Sequence, residues 1–151
     1  MERVVYTKSL LEELIELYRD SVLHVCGRTY AKADIQDWLA APIDREAWHS
    51  KWEAHTSILL RKDGRIVAFG LMRGDGHLEM LYTHHLYQQQ GLSSRILMDL
   101  ENTISAERYT LVSTENAISF YQKHGYFIFK TAYKKYHTRY FYYYYMMKYK
   151  N

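Results

Sequence analysis

At 151 residues, with 48% apolar and 25% charged side chains, the chain holds one domain's worth of material, enough to bury roughly two thirds of the surface its unfolded form exposes. Its 20 basic and 17 acidic residues leave a net +3, too mild a charge to call for a nucleic-acid partner, and no apolar run approaches the ~20 residues of a membrane span. Met1–Leu14 carries acidic residues where a secretory signal needs an unbroken apolar stretch. Cys26 is the only cysteine, so no internal disulfide can form, and a cytoplasmic location is expected.

In chain order, Val4-Val5-Tyr6 reads as a first short strand. Ser9 follows as an N-cap with Glu12 at capping-box spacing. Leu10, Leu11, Leu14, Leu17, Tyr18, Val22 and Val25 then recur with helical period up to Gly27. Residues 31–40 and 44–54 predict two shorter helices on either side of Pro42. The period changes at Ser57–Arg61, a strand joined through Lys62-Asp63-Gly64 to a second strand at Arg65–Met72. Gly74-Asp75-Gly76 marks another turn, and His77–Thr83 a further strand. A helix is predicted over 92–106, a strand at Tyr109–Ser113, and a helix over 115–124 with Ala117, Ile118, Phe120 and Tyr121 inward. Two aromatic strands, about 126–134 and 139–148, close the chain around a polar turn at His137-Thr138-Arg139. No linker or repeat divides residues 1–151, so a single domain is expected. The order gives an α/β fold: a mixed, mostly antiparallel sheet of about seven strands with helices on both faces.

The stretch that carries chemistry is Leu78–Ser94, LEMLYTHHLYQQQGLSS. A strand runs through a polar loop into a helix whose first turn has no carboxylate cap, so several N–H groups are left without partners. Those donors and the positive end of the helix dipole suit an anion such as a phosphate. Gly91 permits close backbone approach, Ser93 is small, and Arg95 stands where it can meet a phosphate. Read alone, the stretch also fits an ordinary glycine-containing loop. It is followed by Thr114-Glu115-Asn116-Ala117-Ile118-Ser119-Phe120-Tyr121-Gln122-Lys123-His124-Gly125-Tyr126.

Together the two blocks resemble the GNAT superfamily of acyl-CoA N-acyltransferases. The first matches its hydrophobic strand followed by Gln/Arg-x-x-Gly-x-Gly/Ala, and the second its Asn-x-x-Ala-x-x-x-Tyr-x-x-x-Gly-Phe pattern. The resemblance runs from Val4 to Lys148 and is strongest to small bacterial acetyltransferases. Two positions depart from the pattern: Ser93 replaces the final Gly/Ala, and Thr114 stands where many members carry an asparagine that binds the pantetheine arm. Asn116 is two residues out of that register.

The resemblance implies that the central pair of strands, 77–83 and 109–113, is parallel and splayed, with the pantetheine of acetyl-CoA entering between them. Backbone groups of Leu81 and Thr83 would bond it, and an N–H at Leu81 or Tyr82 would meet the oxyanion. The amides of Gln89, Gly91 and Ser93, with neighbouring Gln88, Gln90, Leu92 and Ser94, would hold the pyrophosphate; a hydroxyl at Thr114 could serve the arm. An amine would attack the thioester directly, without a covalent enzyme intermediate. Tyr121 occupies the general-acid position, protonating the departing thiolate. Glu79 is the expected base: it alternates onto one face with residues 77, 81 and 83, and apolar Leu78, Met80 and Leu81 flank it. An ion-paired structural glutamate is the competing reading, and His77 is a second candidate. His84 and His85 belong to the loop.

Tyr30, Trp38, Trp48 and Trp52 fall where this family builds its acceptor wall. Asp34, Asp37, Asp44, Glu46 and Glu53 outnumber the basic residues of 31–53, a mild excess that would favour a cationic amine, unless these charges are simply solvated. The acceptor is expected to be a small-molecule or protein amine. The remaining histidines (24, 49, 55, 124 and 137) show no metal spacing, so no metal is expected. Eight tyrosines lie between residues 133 and 149. Any left exposed on the last strands point to a homodimer contact or a far acceptor wall, against plain edge-strand packing. A catalytically silent CoA-binding or interaction module of the same fold is the alternative function.

Overall fold

The computed structural model describes residues 1–136 and 139–150. His137 and Thr138 of the expected polar turn lie outside the described residues. In chain order the elements are β1 (Glu2–Val4), α1 (Leu11–His24), α2 (Lys32–Ala40), α3 (Arg45–Ala54), β2 (Thr56–Lys62), β3 (Arg65–Met72), β4 (His77–Thr83), α4 (Leu92–Thr103), β5 (Arg108–Ser113), α5 (Ile118–Lys123), β6 (Phe127–Tyr136) and β7 (Arg139–Tyr149). They build one seven-stranded sheet in the order β1-β2-β3-β4-β5-β7-β6. β4 and β5 are its parallel pair, and the other neighbours described run antiparallel.

The central strands match their predicted bounds closely, whereas the chain start does not. The first strand ends at Val4 rather than beginning there. Ser9 does not cap α1. Its hydroxyl bonds that of Thr7 at 2.8 Å, a 3-10 turn over Lys8–Leu10 leads into the helix, and the Glu12 carboxylate is held by Arg45 rather than by a capping box. The 115–124 helix is split, with a 3-10 turn at Glu115–Ala117 before α5. α4 stops at Thr103, where Ile104 takes an extended conformation.

Helices cover both faces, which is why β2 and β3 read as nearly continuous apolar runs. Ile58, Leu60, Leu78 and Leu111 meet Ile96, Leu97 and Leu100 of α4, with Tyr121 and Tyr126 in the same cluster. Leu59, Ile66, Phe69 and Leu71 point the other way, onto Leu14 and Ile15 of α1 and Trp52 of α3. Burying each such side chain contributes about 1.5–3 kcal/mol. Gly70 sets the crossing of α4 over β3, because a Cβ there would lie 2.4 Å from Cγ2 of Ile96.

Candidate active site

The parallel pairing of β4 with β5 is brief. It joins His77 to Thr110 and Leu78 to Leu111, and no further pair follows. Beyond Leu78 the strands diverge around a cleft of about 220 Å³. Its floor is the open edge of β4. The His84 N–H donates to Val67 of β3 at 2.8 Å, so backbone alternation sends the N–H and C=O of Thr83 and Leu81 the opposite way, into the cleft.

β4 is not regular. Leu71 pairs with Met80 and Met72 with Leu78, so Glu79 is an extra residue, a β-bulge. This corrects the expected alternation. Leu81 packs toward α4 and Thr83 bonds Ser93 of α4, whereas Met80 and Tyr82 pack toward α1. Glu79 looks to that second side, toward α3, where its carboxylate lies 3.4 Å from Lys51 Nζ and 3.5 Å from Arg73 Nη1. Two cations, rather than apolar neighbours, surround it, and it still borders the cleft. His77 Nδ1 bonds Thr110 Oγ1 at 2.8 Å, and burial lowers its pKa below the ordinary imidazole value.

At the far end of β4 the chain curls through a 3-10 turn at His85–Tyr87 into α4. Gln89 (φ 60°) and Gly91 (φ 76°) both take left-handed backbone, costing the non-glycine Gln89 about 1–2 kcal/mol. Strain retained in this way marks a loop whose shape matters. The first main-chain bond of α4 runs from the Arg95 N–H to Gly91 O. The N–H groups of Gln88, Gln89, Gln90, Gly91, Leu92, Ser93 and Ser94 reach no protein acceptor among the described residues. The side chains brace this cradle. Gln88 Nε2 donates to Thr83 O at 2.8 Å, Thr83 and Ser93 share a hydroxyl bond of 2.7 Å, and Ser94 Oγ bonds His124 Nε2 at 2.9 Å. Arg95 lies 4.0 Å from Asp99.

Across the cleft, α5 supplies Tyr121, 8% exposed and facing the gap. Its hydroxyl has no hydrogen-bond partner among the described residues, and burial pushes its pKa well above that of a free phenol. Thr114 donates to Asn116 Oδ1 at 2.7 Å rather than capping the following turn. Cys26 also borders the cleft, but burial raises its thiol to about 11, so it is protonated at neutral pH and poorly suited to act as a nucleophile.

The aromatic residues expected to form an acceptor wall separate. Trp52 is core, stacked on Tyr6 and edge-on to Phe69. Trp38 borders the cleft and donates to Tyr18 Oη at 2.7 Å. Tyr30 stacks on Phe141, and its hydroxyl accepts from the Glu115 N–H at 2.6 Å. Trp48 lies edge-on to Tyr18. The acidic excess of this region is engaged internally: Asp34 and Asp37 bind Arg139, Asp44 caps α3, Glu46 meets Lys8, and Glu53 meets His49. Among the tyrosines of the last hairpin, Tyr133, Tyr140, Tyr142 and Tyr149 are exposed.

One grouping was not legible in the sequence. His24, His84 and His85, which looked scattered or confined to the loop, converge on Asp20. The only local signal was the one-turn spacing of Asp20 and His24 on α1.

A sheet splayed at its parallel pair, with its open edge leading to a helix N-terminus of unbonded amides, is the architecture that the sequence resemblance implied. The GNAT acetyltransferase domain model matches residues 26–145, and the chain belongs to that family. Among solved structures, a GCN5-related N-acetyltransferase from Rhodopseudomonas palustris superposes with a TM-score of 0.87 at 18% identity, over 98% of this chain and 94% of that one. The PaiA N-acetyltransferase of Thermoplasma acidophilum, in complex with coenzyme A, gives 0.76 at 18% identity over 99% and 98%. A ribosomal-protein-alanine N-acetyltransferase from Brucella melitensis gives 0.74 at 17% identity over 99% of each chain. Comparison with curated proteins gives no match. Among the described residues, no helix is long and apolar enough to cross a membrane.

Proposed function

We propose that the protein transfers an acetyl group from acetyl-CoA to a primary amine by direct attack within a ternary complex. The observation that carries this is the continuity of two backbone surfaces: the edge of β4, where the Leu81 N–H and C=O and the Thr83 N–H meet no partner among the described residues, and the unbonded amides of Gln89–Ser94. The first suits an amide-bearing pantetheine arm as an added strand. The second suits a diphosphate.

Leu81 and Thr83 bond the arm through main-chain groups, and the loop amides hold the diphosphate, with Gly91 keeping that surface free of a side chain. Acetyl-CoA supplies an activated acyl thioester, which a free amine attacks with eventual departure of a thiolate. The Leu81 N–H, directed into the cleft, steadies the developing oxyanion. Tyr121 donates its phenolic proton to the leaving sulfur and recovers one as the nitrogen of the new amide sheds its second proton. Burial keeps that proton in place at neutral pH, and the same dry cleft makes the thiolate a better proton acceptor. Glu79 receives the proton of the incoming ammonium, directly or through water, with Lys51 and Arg73 fixing the carboxylate at the bulge.

The test is thermal denaturation with acetyl-CoA, then thiol release with a panel of small and peptide N-terminal amines. Acetyl-CoA at 100 times its Kd is expected to stabilise the chain by about 2.7 kcal/mol, and acetyl-pantetheine, which lacks the diphosphate, by much less. Absence of any shift at millimolar acetyl-CoA refutes the assignment. A shift without thiol release on any amine identifies a silent binding module instead.

A further inference from the structure

Asp20 and His24 lie one turn apart near the end of α1, and His84 and His85 follow directly on β4. The fold brings all four side chains together on the α1 side of the sheet. Asp20 Oδ1 is 2.6 Å from His85 Nδ1, 3.4 Å from His84 Nε2 and 3.9 Å from His24 Nε2. One donor atom each from Asp20, His24 and His85 falls within a 4.8 Å group. The His24 and His85 rings stack with centroids 4.1 Å apart, and each has a nitrogen within 4.0 Å of the Asp20 carboxylate.

The geometry points to a site for one divalent transition-metal ion, Zn2+ by ligand type, held by Asp20, His24 and His85 and independent of the acyl-transfer reading. Two imidazoles and a carboxylate are a zinc-type donor set. Metal–ligand bonds of about 2.0–2.2 Å in tetrahedral array place donor atoms about 3.3 Å apart. The observed separations from Asp20 Oδ1, 2.6 and 3.9 Å, lie on either side of that value, and the His24 and His85 donor atoms lie within 4.8 Å of each other. His24 is exposed, so its ring can close the difference by a side-chain rotation.

The surrounding bonds fit the same assignment. Asp20 Oδ2 accepts the His85 backbone N–H at 3.0 Å, which leaves Oδ1 as the ligand atom. His84 Nδ1 accepts the Leu86 N–H at 3.2 Å, so a neutral His84 carries its proton on Nε2, which lies 3.4 Å from Asp20 Oδ1. That is the outer-partner arrangement that orients metal-bound carboxylates. When His85 binds through Nδ1, its ring proton moves to Nε2, with no net proton change. The ion would tie α1 to the chain entering the Gln88–Ser94 loop.

The experiment uses untagged, chelator-stripped full-length protein without acetyl-CoA, titrated with Zn2+ by calorimetry and with Co2+ by visible absorption. One equivalent of Zn2+ per chain and the intense spectrum of four-coordinate Co2+ are expected. His24→Ala should abolish both, and its exposed position lets it fold normally by circular dichroism. His84→Ala should weaken binding about 10–100-fold, as loss of an outer partner does. Substoichiometric binding, the spectrum of Co2+ ligated by water alone, or unchanged affinity in folded His24→Ala overturns the assignment. A positive result in protein that fails to bind acetyl-CoA still stands, because no cofactor enters the measurement.

Discussion

Replacing Tyr121 with phenylalanine separates chemistry from folding at a single atom. The hydroxyl borders the cleft without a protein partner, so its removal severs no internal hydrogen bond and leaves no side-chain-sized cavity. Relieving a partly buried, unpartnered hydroxyl is neutral to favourable, changing stability by at most about 1 kcal/mol. The ring keeps its packing near Phe120 and Tyr126, at centroid separations of 5.1 and 5.8 Å. If Tyr121 delivers the proton to sulfur, turnover falls by about 10²–10⁴-fold, or about 2.7–5.4 kcal/mol of barrier at 1.36 kcal/mol per decade. KM for acetyl-CoA should stay nearly unchanged, because the interaction is made in the transition state. Steady-state thiol release with saturating amine, paired with melting curves, measures both. A turnover loss smaller than about fivefold, or one matched by a fall in melting temperature, refutes the assignment of the general acid.

Gly91→Ala meets no protein atom within 4 Å, so its cost is the left-handed backbone alone, about 1–2 kcal/mol. KM for acetyl-CoA should rise by more than that stability loss implies, and a change in melting temperature alone argues against an anion cradle. Gly70→Ala instead drives a methyl into Ile96 and should cost about 1–3 kcal/mol by overpacking, read in denaturant titration. Glu79→Gln should lower kcat/KM by about 10²–10⁴-fold, as loss of a general base does; a rate left unchanged passes the base role to His77. Burial raises the phenols of Tyr82, Tyr121 and Tyr126, and that of Tyr30 to about 12. Above the unfolded value of about 10 the unfolded chain therefore holds fewer protons than the folded one, and stability drains away as pH rises. Melting temperatures should hold steady from pH 7 to 9 and fall from about pH 10 toward 12; a flat profile to pH 12 contradicts the burial argument.

The sheet and the loop were readable because their signals are local. Nearly continuous apolar runs bounded by a Lys-Asp-Gly turn mark β2 and β3, and Gln-x-x-Gly-x-Ser marks a strand turning into α4. The face of Glu79 was not readable, because the bulge comes from how β4 registers against Leu71 and Met72 and has no mark in LEMLYT. The fate of the acidic residues on α2 was equally hidden. Asp34 and Asp37 look like free acceptor contacts until Arg139, at the start of β7, is folded onto them. The Asp20 cluster likewise joins α1 to a loop some 65 residues later. Ser9 fails as a cap for a smaller reason: the Thr7 hydroxyl is the nearer partner, and a 3-10 turn intervenes.

The parallel seam also bears on how the molecule holds together. Strands β1–β4 and β5–β7–β6 form two ribbons, and across the middle only His77 with Thr110 and Leu78 with Leu111 are in register. Amide protons of Leu81 and Thr83 should therefore exchange with solvent quickly, although they sit in the centre of a sheet. A ligand lying along that seam would slow them and join the two ribbons into one cooperative unit. Deuterium uptake at these two positions thus becomes a direct gauge of cofactor occupancy, one that needs neither turnover nor knowledge of the acceptor.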